Sequence, residues 1–290
     1  MGQFATPQVL AKEIFEYCQT LFTPEDTIRF LEPAFGTGSF YTALLTTFSA
    51  SQIEHASAFE VDPHYGASAK KLWESLPLEL AINDFTKMDP PSYEESRYNL
   101  IVSNPPYVRH HHLEKKDKIR LKEMVERAFG KRVSGLSGLY CYFILLSHRW
   151  LRQKGISCWL IPSEFMDVNY GKAIKNYLIN NVKLLKIHRF DPEKQQFDDA
   201  LVSSVILWFK NEPAEPQHTV EFSFGGTLLS PKKSRNISIE NLDPDAKWTS
   251  LLEENGKRCY EENGITISDL FEIKRGIVTG SNSFFIMNKE

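Results

Sequence analysis

Hydrophobic and polar positions alternate along the first two thirds of the chain with the periods of strands and helices in turn. Short apolar runs with the length and composition of buried strands occupy residues 28–31, 56–61, 78–82 and 98–103. The segments between them, such as 40–48, carry apolar residues at helical spacing. Alternating strands and helices are typical of a parallel, doubly wound sheet, so the pattern predicts an α/β fold.

The next segment continues the pattern with longer apolar stretches. Residues 139–151 are strongly apolar and predict a buried helix, and residues 156–161 predict a fifth strand. Two further strands are predicted at 182–190 and 201–209. The loop between them is too short for a helical crossover, so these two strands should form an antiparallel hairpin.

The first helix is predicted to begin at Thr6-Pro7. Threonine is a favoured N-cap because its hydroxyl accepts a hydrogen bond from a backbone N–H group, and proline suits the first helical position. Apolar residues then recur at helical spacing as far as Leu21.

A sharp change of composition at residues 211–216 (Asn-Glu-Pro-Ala-Glu-Pro) predicts a domain boundary. The sequence therefore divides into a first domain at 1–210, a connecting segment at 211–265 and a further segment at 266–290. The strand-like runs after residue 216 are short and separated by loops.

Composition places the chain among ordinary globular proteins. Apolar residues make up 42% and charged residues 24%, and no apolar run approaches the ~20 residues that span a bilayer. We expect no membrane partner and no signal peptide. The four cysteines lie far apart, which favours reduced thiols in a cytoplasmic protein over disulfides or a zinc site.

Positive charge is concentrated in one segment, although the net charge of the whole chain is −3. Residues 109–132 contain nine Lys or Arg against four acids. Such a block would attract a phosphate backbone, but it would also suit a solvated helix face with i,i+4 ion pairs. The three consecutive histidines at 110–112 cannot all face one ion in a regular element, so we predict no metal site.

A glycine-rich turn follows the first predicted strand. Gly36 and Gly38 would let the backbone pass close to a ligand at the N-terminus of the next helix. Tyr41 stands where a dinucleotide-binding fingerprint would need a third glycine, which disfavours pyrophosphate binding. This pair of glycines is a weak signal by itself.

Acidic residues end the next two predicted strands. Glu60 lies about twenty residues after the glycine turn, where a carboxylate typically accepts hydrogen bonds from ribose hydroxyls. Asp84 could accept from an exocyclic amine while Phe85 packs on an adenine ring. The alternative is that both acids cap helices and that Phe85 belongs to the core.

Asn104-Pro105-Pro106-Tyr107 follows the fourth predicted strand. The side-chain oxygen of Asn104 and the carbonyl of Pro105 could both accept hydrogens from an amine. Drawing those hydrogens out of the plane of an aromatic amine would favour a tetrahedral nitrogen with a free lone pair, as nucleophilic attack requires. Tyr107 supplies a stacking face for a base, and the prolines stiffen the loop.

These motifs together resemble the adenine-N6 DNA methyltransferases of restriction–modification systems. The tetrapeptide after a strand, with Glu-Pro-Ala-Phe-Gly-Thr-Gly-Ser-Phe upstream at 32–40, carries the resemblance, which covers about residues 3–209. The order of motifs, with Thr6-Pro7 first, is similar to that of the gamma class.

The resemblance implies a Rossmann-like class I S-adenosylmethionine-dependent methyltransferase fold, with a mostly parallel seven-stranded sheet and a C-terminal antiparallel hairpin. It implies S-adenosyl-L-methionine as cofactor and a flipped adenine in double-stranded DNA as substrate. The implied cofactor contacts are Thr6, Glu32, Ala34, Gly36, Gly38, Glu60, Asp84 and Phe85. Asn104 to Tyr107 would hold the adenine, Phe197 would close its other face, and Arg109 would meet the DNA beside it.

The chain departs from the gamma class after residue 210. Those enzymes carry a large target-recognition domain, whereas 80 residues follow here, of which 271–287 are similar to the opening of such a domain. We therefore expect 1–210 to be the catalytic domain, 211–265 a linker and 266–290 the start of a truncated recognition domain. Such a chain would have impaired sequence-specific activity by itself and would need a separate specificity chain, or act beside a cognate restriction nuclease.

Alternative functions stay open at this point. Protein glutamine-N5 methyltransferases share the tetrapeptide because a side-chain amide resembles an aromatic amine, but they carry a helical domain before the glycine turn. A non-catalytic subunit that binds cofactor and DNA would carry altered catalytic residues, whereas Asn104 is intact. Cytosine-N4 methyltransferases usually have serine at the position of Asn104.

Overall fold

The computed structural model describes residues 5–130, 134–191, 203–252 and 267–272. The chain forms two compact units, Met1–Glu253 and Glu254–Glu290. The described strands are β1 Ile28–Glu32, β2 Ile53–Glu60, β3 Glu79–Ile82, β4 Tyr98–Ser103, β5 Leu151–Pro162, β6 Lys183–Arg189, β7 Ser204–Lys210, β8 Thr219–Gly226 and β9 Pro231–Ser238. The described α-helices are α1 Gln8–Gln19, α2 Ser39–Thr47, α3 Pro63–Trp73, α4 Lys115–Phe129, α5 Leu139–Ser147, α6 Lys172–Asn180 and, in the second unit, α7 Ile267–Leu270.

All nine strands form one sheet in the order β3-β2-β1-β4-β5-β7-β6-β8-β9. The first five strands pair in parallel, and β7 is antiparallel to both of its neighbours, β5 and β6. The predicted α/β fold and the predicted antiparallel hairpin of β6 and β7 are therefore confirmed. Because β1, β2 and β4 are parallel, their carboxyl ends meet at one edge of the sheet.

The predicted number of strands was wrong, because the sheet continues past residue 210. Strand β8 pairs in parallel with β6, with Ile187 opposite Phe222, and β9 pairs antiparallel to β8. Val220 and Phe222 are fully buried, so β8 contributes to the core. The change of composition at 211–216 marks a surface connection, and the first compact unit extends to Glu253. The functional division of the chain at 1–210, 211–265 and 266–290 stays a prediction.

Helices cover both faces of the sheet, as in other layered α/β folds. On one face, Ile14 and Phe15 of α1 and Leu44 of α2 pack with Phe30 and Leu100 of the strands. On the opposite face, Ile144 of α5 and Leu178 of α6 belong to a second cluster. The strand residues of this cluster include Leu31, Ile101 and Leu207. Adjacent residues of β1 and β4 thus face opposite layers, which explains why both strands are apolar throughout.

The predicted N-cap of the first helix was also wrong. Helix α1 begins at Gln8, and its N-cap residue is Pro7, without a side-chain capping bond. Pro7 has φ −58° and ψ 140°, so it is itself the non-helical residue that precedes the first turn. The hydroxyl of Thr6 instead accepts a hydrogen bond from the Asn104 side chain at 3.1 Å.

Among the described residues, the helices are too short or too polar for any of them to cross a bilayer.

A buried histidine links β6 to β8 and makes the stability of this part of the sheet depend on pH. His188 is fully buried, and its Nδ1 lies 3.0 Å from the Ser223 hydroxyl. Burial, and then the charge of Lys186, lower the pKa of His188 from 6.5 to about 4. The unfolded chain therefore binds a proton that the folded chain does not, and the stability from this group is complete above about pH 6.5 and is lost as the pH falls towards about 4.

We expect the free energy of unfolding of the wild-type protein to fall between these pH values more steeply than that of His188→Asn. Asparagine can still hydrogen-bond Ser223 but does not titrate. Urea unfolding at a series of pH values measures both slopes. Equal slopes for the two proteins would contradict the assignment of this proton to His188.

Candidate active site

The carboxyl ends of β1, β2 and β4 open into one pocket. Its walls come from the segment before α1, the turn between β1 and α2, the start of α3 and the loop after β4. The lining residues are Ala5, Thr6, Glu32, Ala34, Phe35, Gly36, Thr37, Ser39, Phe40, Glu60, Tyr65, Asn104 and Pro106. The fold thus brings together seven of the predicted site residues, namely Thr6, Glu32, Ala34, Gly36, Glu60, Asn104 and Pro106.

The two glycines of the turn have different roles. Gly36 (φ +56°) and Gly38 (φ +89°) both adopt left-handed backbone conformations, which other residues rarely adopt. A Cβ atom on Gly36 would meet no atom within 4 Å, so this position leaves space in the pocket. A Cβ atom on Gly38 would lie 2.7 Å from Nε1 of Trp73 and 2.8 Å from Cζ of Phe35. Gly38 therefore serves packing, and Gly36 lines the pocket.

Glu60 stabilises the same turn. Its Oε2 accepts a hydrogen bond from the backbone N–H of Gly36 at 2.7 Å, and its Oε1 accepts one from the N–H of Asp62 at 2.8 Å. The side chain is 3% exposed. Two backbone donors offset part of the cost of burying this carboxylate, and each oxygen keeps lone pairs for a further donor.

Glu32 is the least satisfied acid of the pocket. It is 2% exposed, and its Oε2 has no hydrogen-bond partner among the described residues. Burial, and then the charge of Glu60, raise the pKa of Glu32 well above its usual value. Among the described residues, the lining contains two acids and neither Lys nor Arg. A ligand that brings positive charge or hydrogen-bond donors would satisfy these carboxylates, whereas a phosphate would be repelled.

Asp84 and Phe85 lie in the turn after β3, outside the pocket lining. Oδ1 of Asp84 accepts hydrogen bonds from the N–H and the hydroxyl of Thr86 at 2.9 and 2.7 Å, so it caps the short 3₁₀ helix Phe85–Lys87. Phe85 is 2% exposed, and its ring centroid lies 5.2 Å from that of Trp150. Both residues thus have the capping and core roles that the sequence left open as the alternative.

The tetrapeptide leaves β4 and turns across the end of the pocket. Nδ2 of Asn104 donates to the Thr6 hydroxyl at 3.1 Å, and Asn104 and Pro106 line the pocket. Pro105 is buried. The phenol of Tyr107 donates to the carbonyl of Leu160 in β5 at 3.2 Å, and burial raises its pKa. This bond fixes the direction of the Tyr107 ring relative to the sheet.

Two of the predicted substrate contacts, Arg109 and Phe197, are not among the described lining residues of the pocket. Arg109 is exposed, and its guanidinium lies 3.8 Å from the Glu164 carboxylate. Phe197 lies outside the described residues, as does most of the predicted recognition segment.

Sequence reasoning missed Tyr65, which lines the pocket from the first turn of α3 and is 40% exposed. The signal was available, because α3 begins directly after the strand that ends in Glu60. The first turn of a helix that follows such a strand lies at the same sheet edge as the carboxylate.

The basic segment around α4 divides its charges between two uses. Arg120 donates to the carbonyl of Thr86 at 2.6 Å and to its hydroxyl at 2.9 Å, so it binds the turn after β3. Arg127 pairs with Glu123 at 3.5 Å, four residues away on an exposed helix face. The i,i+4 pairing left open by the sequence therefore applies to part of the segment. Attraction of a phosphate backbone stays a prediction. Among the described residues, no group of three His, Cys, Asp or Glu side chains is arranged to hold a metal ion.

The sheet order and the position of the pocket define a class I S-adenosylmethionine-dependent methyltransferase fold. A protein of Listeria monocytogenes assigned to that class matches with a TM-score of 0.63 at 17% identity, covering 78% of this chain and 67% of that one. The type IIG restriction endonuclease BpuSI matches with a TM-score of 0.67 at 16% identity, covering 87% of this chain and 33% of that one.

Sequence comparison identifies the family. Residues 45–197, just over half of the chain, match the sequence model of the Eco57I restriction-modification methylase. The chain belongs to this family, which confirms the resemblance to restriction–modification methyltransferases.

Full-length relatives extend beyond this chain. The type II methyltransferase M.AccI of Acinetobacter calcoaceticus is 30% identical over 302 residues, which cover 99% of this chain and 53% of the relative. The type II methyltransferase M.HincII of Haemophilus influenzae is 28% identical, covering 90% of this chain and 43% of the relative. The chain thus spans about half the length of the curated relatives it matches.

The different environments of the two glycines predict different costs of adding a methyl group. Gly36→Ala should lower the free energy of unfolding by about 1–2 kcal/mol, the cost of a left-handed non-glycine residue. Gly38→Ala should cost about 1–3 kcal/mol more, because its Cβ also collides with Trp73 and Phe35.

Urea unfolding of both variants measures this difference. Gly130→Ala is the matched control for backbone strain, because Gly130 has φ +64° and open space around it at the end of α4. The packing argument fails if Gly38→Ala is no less stable than Gly36→Ala.

Proposed function

We propose that this chain carries the catalytic domain of an adenine-specific DNA methyltransferase, which moves a methyl group from S-adenosylmethionine to the N6 amine of a flipped adenine. The observation that carries the proposal is that Asn104 and Pro106 line the same pocket as Gly36 and Glu60. A group held at the tetrapeptide and a ligand held over the glycine turn would therefore be neighbours. Such alignment accounts for a large part of the acceleration of a transfer reaction.

The charge and the hydrogen-bonding groups of the pocket are compatible with this cofactor. S-adenosylmethionine, when bound, supplies a methyl group on a positively charged sulfonium. Two buried carboxylates, with no lysine or arginine in the described part of the lining, favour a ligand of that charge. The space at Gly36 allows close approach to the backbone, and Oε2 of Glu32 offers an acceptor without a partner among the described residues.

Individual roles follow from the position of each residue. Glu60 would accept from ribose hydroxyls while it holds the Gly36 turn, and Glu32 would accept from the ammonium group of the methionine moiety. Thr6 and Ala34 would line the cofactor, and Gly38 would support the turn from behind. Asp84 and Phe85 stay a proposal for the adenine end. The capping bonds use Oδ1 of Asp84, and its Oδ2 lies 3.2 Å from Nζ of Lys87, so a ligand amine would compete with that ion pair.

The tetrapeptide would hold the target amine. The Asn104 side-chain oxygen and the Pro105 carbonyl would accept its two hydrogens and so favour a tetrahedral nitrogen as the new bond forms. Tyr107, fixed by its bond to Leu160, would stack on one face of the base, and Phe197 would close the other. Flipping the base costs a few kcal/mol, which these contacts repay.

DNA binding would come in part from the basic segment that begins at Arg109. Recognition of a particular sequence would involve a region related to residues 266–290, a separate specificity chain or both, and a cognate restriction nuclease would be the functional partner. We propose a cytoplasmic location, where such systems meet DNA.

Replacing the proposed amine acceptor tests the mechanism. We expect Asn104→Ala to lower the rate of methylation by at least about 10²-fold, because one of two acceptors for the developing charge is lost. The affinity for S-adenosylmethionine should change by less than about threefold, since the proposed cofactor contacts of Glu32, Glu60 and the Gly36 backbone remain. Sequencing of host DNA for N6-methyladenine, with and without the complete gene, identifies the substrate, and calorimetry gives cofactor affinity.

Two results would overturn the proposal. One is a wild-type protein that binds neither S-adenosylmethionine nor its demethylated product. The other is a full-length Asn104→Ala protein that methylates adenine at the wild-type rate.

The raised pKa of Glu32 predicts that the cofactor affinity depends on pH. In the free protein Glu32 is protonated well above its usual range, and a bound cation would stabilise the ionised form. Binding should therefore release a proton, and affinity should rise with pH up to the raised pKa. Calorimetry in two buffers of different ionisation enthalpy measures the protons released. Glu32→Gln should abolish the release; an undiminished release would assign the proton to another group.

A further inference from the structure

Thr6 joins two parts of the site that are far apart in sequence. Its side chain is buried, with 8% exposure, and its hydroxyl accepts from Nδ2 of Asn104 at 3.1 Å across 98 positions of sequence. The following helix α1 is anchored by Ala11, Ile14 and Phe15, which have no exposed surface. Thr6 therefore lies two residues before a helix that is packed into the core.

The direction of this hydrogen bond decides which end of the amide serves as acceptor. The two ends of an asparagine amide have the same shape but opposite hydrogen-bonding character. With Nδ2 directed at Thr6, the Oδ1 end lies on the opposite side of the amide. A reversed amide would present an N–H donor to an amine, and two donors cannot form a hydrogen bond with each other.

We infer that Thr6 is a positioning residue for methyl transfer: it accepts the amide N–H of Asn104 and so sets the amide orientation in which the oxygen, rather than the N–H group, meets the target amine. This inference rests on the proposed function, because it assigns the orientation of the same side chain. It goes beyond a cofactor contact, since the role of Thr6 runs through Asn104. Because Oγ1 accepts this bond, its own proton can satisfy a second acceptor in the pocket.

A purely structural role of Thr6 is tested by two variants that change the hydroxyl and the shape of the side chain separately. Thr6→Val keeps the shape but removes the acceptor, and Thr6→Ser keeps the hydroxyl. Thr46→Val is the matched control, because within the described part of the chain the Thr46 hydroxyl bonds to backbone carbonyls of its own helix.

The first test measures the kinetics of the full-length protein on an unmethylated DNA duplex. This duplex contains the sequence that the protein methylates in the host. We expect Thr6→Val to lower kcat by about 10- to 100-fold, since the amide then populates the reversed orientation, while KM for S-adenosylmethionine stays within about threefold. Thr6→Ser should recover most of the rate, and Thr46→Val should match the wild type. An unchanged kcat for Thr6→Val, or an equal loss in Thr6→Ser, overturns the inference.

The choice of base gives a readout that lost packing would not change. Hypoxanthine carries a carbonyl acceptor where adenine carries its amine. The wild-type protein should bind a duplex with adenine at the target position more tightly than one with hypoxanthine. In Thr6→Val this preference should shrink by about tenfold, because a reversed amide donates. A preference equal to that of the wild type contradicts the orientation role.

A spectroscopic measurement separates failure of this inference from failure of the proposed function. The side-chain NH₂ signals of Asn104, assigned by their loss in Asn104→Asp, report the bond to Thr6 without any DNA. They should shift and exchange faster in Thr6→Val but not in Thr6→Ser. Absence of this effect overturns the inference even in an active enzyme. If Thr6→Val shows the effect but the wild-type protein methylates no DNA, the proposed function is refuted, and with it the positioning role of Thr6 in methyl transfer.

Discussion

The register between β1 and β4 is the constraint on which the site depends. These neighbours pair with Phe30 opposite Leu100 and Leu31 opposite Ile101. The side chain of Asn99 extends the pairing: its Oδ1 accepts from the N–H of Arg29 and its Nδ2 donates to the carbonyl of Thr27, both at 2.7 Å. A slip by one residue would turn every side chain of β4 to the opposite face. It would also move the tetrapeptide relative to the glycine turn.

The parallel pairing of β1 with β2 brings the carboxylates that end these two strands into one buried space, and their environments differ. Glu60 receives two backbone N–H groups, whereas Glu32 keeps one oxygen without a partner among the described residues. Burial and the charge of Glu60 therefore raise the pKa of Glu32. Burying these carboxylates costs free energy, and the described lining residues include no lysine or arginine that would offset it. A ligand with positive charge would supply that compensation.

The sequence predicted the parts of the fold that depend on local patterns. The limits of β4 agree with its apolar run, and the short loop 191–200 was enough to predict an antiparallel pair. The pairing of β8 with β6 could not be predicted, because parallel pairing depends on contacts between distant segments rather than on local periodicity. The composition of residues 211–216 predicts a loop, and these residues connect β7 to β8. It does not predict which strand β8 pairs with.

The candidate site shows the same limit at the level of single side chains. Residue type and strand position located Glu60, Gly36 and Asn104, because strand ends meet at one edge whatever their side chains do. They could not decide between partners that compete for one polar group. Thr6 could cap a helix or bind a distant amide, and Pro7 decides the matter by adopting the N-cap conformation itself. Asp84 could bind a ligand or cap the next turn, and the adjacent Thr86 supplies the donors for a cap. In both cases a neighbouring residue decides which partner the polar group takes.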